Sequence, residues 1–308
     1  EHFRDYDSQP AIIVNQNTGI VTIPKTYPKL NEGIKDFYIK YIEQILSFIF
    51  DEQDLPIIKK FMAQITCSYR TLARPVLILT GARGTGKTLL VDVMLKSVVN
   101  VTNYINIEYN AVWKIDAGIV KVEESEDVKH DLKKLYNDIK DYTGSQSTVA
   151  NVKGGSLYTI PSTGTFVILS NDRFPITIKD NPEEGNQFYH CHLGIPLINK
   201  PGWNSFSSEI SESKISLAMQ YYTKFVLLPL FEKMVNGRTY RYGFDIPITR
   251  ELNRLYESSK ITRFGTGLID FFNEVWIIYN SMINVDRHPY NQLQGVDKIG
   301  RAPCRERV

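Results

Sequence analysis

Cysteine is scarce in this chain, with three in 308 residues. Cys304 falls in the last ten residues, and Cys67 and Cys191 stand far apart. That leaves too few for a disulfide framework or a four-ligand zinc site and fits a reducing, intracellular setting. Long apolar runs are missing too. Phe225 to Phe231, the longest towards the C-terminal half, is broken by Pro229 and is far too short to cross a bilayer, so no membrane span is expected. No signal peptide is visible at Glu1 and no initiator Met precedes it, so the sequence reads as not secreted and as a piece of a longer protein.

An excess of one charge is also lacking. The formal net charge is +2. The last ten residues, 299–308, read as a non-native, adapter-derived tail. Without its Arg301, Arg305, Arg307 and Glu306, the 36 basic and 34 acidic side chains fall to 33 each. Global charge therefore says nothing about nucleic acid, and any such contact must come from a local patch.

What is present is apolar substance, 43% of residues, enough for one large domain or two ordinary ones. The most informative stretch is Gly81-Ala82-Arg83-Gly84-Thr85-Gly86-Lys87-Thr88. It follows the apolar run Pro75 to Thr80 and precedes Leu89, Leu90, Val91 and Val93. Strand, glycine-rich loop and helix in that order make a phosphate-binding loop. Glycines adopt backbone angles closed to other residues, so successive N–H groups can turn inward round a phosphate, and the helix adds its positive end. Residues 81–89 would hold ATP, with Lys87 on the β- and γ-phosphates and the Thr88 hydroxyl on Mg²⁺.

Upstream, Ala11 to Val14 and Gly19 to Ile23 flank a polar turn and suggest a small hairpin. Apolar residues at helical spacing predict helices from Asn31 to about Phe50 and from Leu55 to Ser68. Downstream, Tyr104 to Ile107 reads as a strand, and Gly118 to Glu124 as another ending in two carboxylates. An acid there can reach the metal and its neighbour can polarise the attacking water. Glu123 is assigned to Mg²⁺ and Glu124 to the water, and the two assignments could be exchanged. Residues 141–160 alternate around glycines and suggest paired strands, and Thr165 to Ser170 is a continuous apolar strand ending at Asn171, whose amide would lie beside the phosphates. His190, Cys191 and His192 sit on a strand, where alternate residues usually just share a face. Helices are expected over 215–235, 249–259 and 268–283, with Pro229 kinking or ending the first. Arg250, Arg254, Lys260 and Arg263 form a basic stripe of the kind that is usually a solvated face.

In order and spacing, Gly81 to Thr88, Val120 to Glu124, Lys153 after a glycine-bearing stretch, and Val167 to Asn171 resemble the superfamily 3 helicases, most of all their phage and large-virus primase-helicase branch. The resemblance covers about residues 35–200. It implies an α/β P-loop NTPase, AAA+-like, with a parallel sheet flanked by helices and helical N-terminal and C-terminal regions. It also implies a homo-oligomeric ring, commonly a hexamer, that hydrolyses ATP with Mg²⁺ and moves on single-stranded DNA, with a primase or polymerase part upstream and an intracellular setting, the host cytoplasm if the protein is a phage's. Lys87, Glu124 and Asn171 become the catalytic set, and Lys153 falls at or near a pore hairpin that grips DNA phosphates. The family's arginine past the sensor asparagine is missing here, so Arg173, Arg238 and Arg241 are the candidate arginine fingers. The division expected is a hairpin and helical region at 1–72, an ATPase core at 73–200, a helical region at 201–298 and the tail at 299–308. Two other readings stand beside the helicase: a nucleotide-switched assembly ATPase with weak hydrolysis, and a P-loop small-molecule kinase.

Overall fold

The computed structural model describes residues 13–14, 21–22, 30–67, 74–104, 118–123, 132–145, 147–151, 157–161, 164–184, 186–236 and 245–260, together with Phe271 and Val275. The chain forms two compact units, Glu1–Tyr256 and Glu257–Val308. In the second, residues 257–260, Phe271 and Val275 are helical, and the rest of the helix expected over 268–283 lies outside the described residues. Among the described residues no helix is long and apolar enough to cross a membrane.

The first unit is built on five parallel strands. They are β3 (Val76–Thr80), β4 (Val101–Asn103), β5 (Ile119–Glu123), β8 (Thr165–Ser170) and β9 (Phe188–His192), ordered β4-β5-β8-β3-β9. Their near-continuous apolar sequences follow from burial on both faces. Leu77, Leu79, Val167, Leu169 and Ile119 point into one core, and Val76, Ile78, Phe166, Ile168, Val120 and Val122 into the other. The first core is closed by α1 (Lys35–Ile49), α2 (Leu55–Cys67), the helix α3 over residues 87–97, the short α5 (Trp203–Ser207), α6 (Glu212–Tyr222) and α7 (Leu228–Asn236). The second is closed by α4 (Leu132–Gly144) and by the helix over residues 250–256. The result is the expected α/β architecture, a parallel sheet between helical layers. The boundaries drawn at 72 and 200 fall within this one unit.

Two antiparallel hairpins stand apart from the main sheet. Ile13–Val14 (β1) pairs with Val21–Thr22 (β2), as the N-terminal pattern predicts, and Ser147–Asn151 (β6) pairs with Leu157–Pro161 (β7). Two details differ from expectation. Strand β4 precedes the strand expected over Tyr104 to Ile107, of which residues 105–107 lie outside the described residues; its register against β5 pairs Val101 with Ile119, and the Tyr104 amide then donates to the Lys121 carbonyl at 2.7 Å. Pro229 neither ends nor interrupts its helix. The preceding turn, Thr223–Leu227, is wound with π geometry, in which the Leu228 amide donates to the Thr223 carbonyl, so the chain passes the missing Pro229 donor and runs on to Asn236.

Candidate nucleotide site

The site forms where three strands end together. Thr80 of β3 lies opposite Ser170 of β8, and Glu123 of β5 opposite Leu169, so Gly81, Asn171 and Glu123 emerge along one edge. The strand order reverses around β3, with β8 on one side and β9 on the other, and such a switch point leaves a crevice outside the carboxyl ends. A cleft of about 870 Å³ opens there, lined by residues 83–89, Glu123, Leu169 to Asn171, Pro196 to Ile198 and Trp203.

The loop's glycines meet a steric need as well as a conformational one. Gly81 has φ +134°, and a Cβ on it would lie 2.1 Å from the Leu193 carbonyl oxygen. Gly86 has φ +99°, and its Cβ would lie 2.8 Å from Ile49 Cγ1. The backbone thus takes turns only glycine allows and packs against Leu193, just past β9, and against α1 as it does so. The Thr85 hydroxyl donates to the Ala82 carbonyl at 3.0 Å, and the Leu197 amide donates to the Gly84 carbonyl at 2.8 Å, which ties the loop to the segment after β9.

Lys87 curls over the loop it follows. Its ammonium donates to the carbonyls of Gly81 and, at 2.9 Å, Ala82, and to Asn171 Oδ1 at 3.3 Å. The loop lysine and the strand-end amide therefore converge on one point. Glu123 stands across the cleft. Its Oε1 pairs at 2.9 Å with Lys121, whose ammonium also reaches Asp92 of α3 at 2.9 and 3.0 Å. Burial alone would lower the Lys121 pKa, but the hydrogen bonds and charges of Asp92 and Glu123 outweigh it and raise the value.

Beneath the loop, the Thr80 hydroxyl shares hydrogen bonds with His190 Nε2 at 2.9 Å and His192 Nδ1 at 3.0 Å. Burial pushes His190 down to about 4 and, with the nearby Arg173 charge, also lowers His192. The two histidines do share a face, and they turn it to a threonine hydroxyl. Arg173, half exposed, pairs with Glu251 Oε2 at 3.5 Å, and Arg254 takes Glu251 Oε1 at 2.8 Å.

Of the residues singled out in the sequence, the structure brings together the 83–89 loop, Lys87, Thr88, Glu123 and Asn171. Arg173 lies nearby on Glu251. Glu124, Lys153, Arg238 and Arg241 lie outside the described residues. Sequence reading missed Asp92, Lys121, Thr80 and the wall from Pro196 to Trp203. The first two carried a signal, because each is a lone charge inside an apolar run, Leu90-Val-Asp92-Val-Met and Ile119-Val-Lys121-Val.

The donor set fits a magnesium nucleotide. Among the described residues no group of three or more His, Cys, Asp or Glu could hold a metal. The hard oxygens of Thr88 and Glu123 on the cleft wall suit an ion that takes one or two protein oxygens and completes its shell with phosphates and water.

The profile of a family of unknown function, DUF5906, matches residues 79–185. No curated protein matches the chain. Among solved structures, the A-form apo NrS-1 C-terminal region (305-718) aligns with TM-score 0.53 and 18% identity over 83% of this chain and 61% of that one. A second apo structure of the NrS-1 C-terminal region gives 0.55 and 19% over 79% and 57%. A JCV helicase structure aligns at TM-score 0.35 and 12% identity over 75% and 71%, too distant to weigh. The chain thus spans about three fifths of the NrS-1 chains it matches, and at these identities what the two share is the fold.

Proposed function

We propose that this chain is the motor of a viral or phage replication helicase of superfamily 3 type, a ring-forming ATPase that moves on single-stranded DNA. The observation that carries the reading is the convergence of Lys87 and Asn171 at 3.3 Å on the edge of the cleft that Glu123 also lines. A triphosphate entering the loop gives the Lys87 ammonium phosphate oxygens in place of the Gly81 and Ala82 carbonyls. Asn171 is then left to orient the γ-phosphate and the attacking water. Glu124 takes the water's proton as its oxygen bonds to the γ-phosphorus and the bond to the β-phosphate bridging oxygen breaks, releasing ADP. Mg²⁺, bound through Thr88 and Glu123, supplies neutralisation of the phosphate charge. Lys153 contacts single-strand phosphates, so hydrolysis moves the strand.

The reading is tested by ATP turnover of the full chain with and without single-stranded DNA, beside Lys87→Ala and Glu124→Gln. DNA-stimulated turnover lost in both variants is expected; turnover indifferent to DNA, or unchanged in Lys87→Ala, would overturn it. Lys153→Ala should lower the log–log salt slope of single-strand binding by about 0.7 per lost contact while ATP binding stays intact. The lack of any arginine between Arg173 and Arg238 favours a second reading, an assembly ATPase that binds ATP and hydrolyses it weakly. Ring formation with nucleotide but negligible turnover in either condition would select it.

A further inference from the structure

We propose that Pro196, Ile198 and Trp203 form an apolar shelf that holds the nucleobase and accepts either purine. The inference rests on the nucleotide reading above and adds the placement and selectivity of the base. The sheet fixes the direction. Strands β8 and β9 flank β3 on opposite sides, so a triphosphate lying along the loop has its γ end towards Asn171 and Glu123 and its nucleoside towards the segment after β9. That segment is locked to the loop by the 2.8 Å bond from the Leu197 amide to the Gly84 carbonyl and by Leu197 Cδ1, which a Cβ on Gly86 would approach to 3.3 Å.

Among the described residues, what stands at that end of the cleft is apolar and partly exposed. Ile198 is 68% exposed, an isoleucine in water at the mouth of a site whose other end is polar. Trp203 is half-buried and braced by Phe48, 5.3 Å away edge to face, and by Phe206, so its indole is held in place. A flat aromatic ligand would cover both. The selectivity follows from what the shelf can donate. Among Pro196, Leu197, Ile198 and Trp203 the one polar side-chain group is the indole N–H, a donor, and adenine and guanine both offer ring-nitrogen acceptors. Three backbone amides of the segment are engaged internally, that of Leu197 with the Gly84 carbonyl, that of Asn199 with the Pro196 carbonyl at 2.9 Å and that of Lys200 with the Leu197 carbonyl at 2.9 Å. A site that hydrogen-bonds one base edge rejects its analogue strongly, whereas an apolar surface discriminates little.

The test is equilibrium binding of ATP, GTP and inorganic tripolyphosphate, each with Mg²⁺, to the full chain and to Ile198→Ser and Lys87→Ala. Expected are ATP and GTP affinities within about tenfold of each other. Both should bind at least about tenfold more tightly than tripolyphosphate. Ile198→Ser should remove most of that advantage while leaving tripolyphosphate affinity unchanged. Equal binding of ATP and tripolyphosphate, a preference of about a hundredfold or more for one purine, or an Ile198→Ser variant that alters subunit assembly but not nucleotide affinity would each overturn the shelf. Failure of the nucleotide site itself looks different: wild type then binds none of the three, or Lys87→Ala binds all as well as wild type.

Discussion

Lys121 holds Glu123 through an ion pair of 2.9 Å and, with the same ammonium, grips both oxygens of Asp92 on the helix that follows the loop. The proposed metal carboxylate and the helix that follows the loop are thus joined through one buried lysine. Replacing it with methionine keeps the apolar stem and leaves two carboxylates facing each other with no cation between them. Removing one partner of a buried pair is costly, and because Asp92 and Glu123 are partly exposed the loss here is expected at about 2 kcal/mol. A urea midpoint for Lys121→Met indistinguishable from wild type would show the network to be ornamental. The raised Lys121 pKa sets the pH range: its contribution is complete below the ordinary lysine value and is lost only as pH rises through the higher folded one.

His190 gives the opposite sign in the acid range. Its folded pKa is pushed down to about 4, first by burial, with His192 and Arg173 adding and Glu251 opposing. The unfolded chain binds a proton at the ordinary histidine value and the folded chain resists it, so stability is present above that value and falls as pH drops towards 4. The slope approaches about 1.4 kcal/mol per pH unit, roughly 3 kcal/mol in all. Subtracting the stability profile of His190→Gln from that of wild type isolates this share. An imidazole signal of His190 that titrates near pH 6.5 would remove the effect.

Gly81→Ala tests the loop's packing without touching its chemistry. The new methyl would meet the Leu193 backbone oxygen at 2.1 Å from a backbone with φ +134°, so the chain just past β9 or the loop must shift. A loss of about 2 kcal/mol or more is expected. Gly144→Ala is the control, because a Cβ there meets nothing within 4 Å. It should be neutral or slightly stabilising. Thermal melts that move equally for the two variants would sink the argument.

How much of this could be read from the chain depends on the range of each interaction. The loop, β3, β5 and β8 were legible because motif and apolar continuity are local properties. So were α1 and α2, from the spacing of Tyr41, Ile42, Ile45, Leu46 and Ile49 and of Ile58, Phe61, Met62 and Ile65. Strand β4 went unread because it is a short edge strand whose bounds are set by its partner's register. The Asp92 to Lys121 contact spans 29 residues, the Thr80 to His190 contact 110, and no spacing rule connects such pairs. The π turn before Pro229 was illegible for another reason: proline announces a lost donor but not whether the helix stops or rewinds around it.

Arg173 is where the proposed trans contribution to catalysis can be tested. It follows Asn171 closely and is half exposed, its pair with Glu251 is long at 3.5 Å, and Arg254 holds the same carboxylate at 2.8 Å, so Arg173 can leave Glu251 for a neighbouring subunit's γ-phosphate without stranding the acid. Arg173→Ala should leave stability within about 0.5 kcal/mol of wild type. Turnover should fall at least about a thousandfold, with nucleotide affinity kept. An arginine acting across a subunit boundary has a further signature. Lys87→Ala subunits cannot bind nucleotide productively but still carry Arg173, whereas Arg173→Ala subunits bind it but lack the arginine. Mixing the two inactive proteins should therefore restore measurable turnover, because some sites then pair an intact loop with an intact arginine. If Arg173→Ala is inactive and the mixture stays inactive while mixed rings form, Arg173 acts within its own subunit. If Arg173→Ala hydrolyses ATP normally, the finger lies elsewhere, and Arg238 and Arg241 are the next substitutions to make.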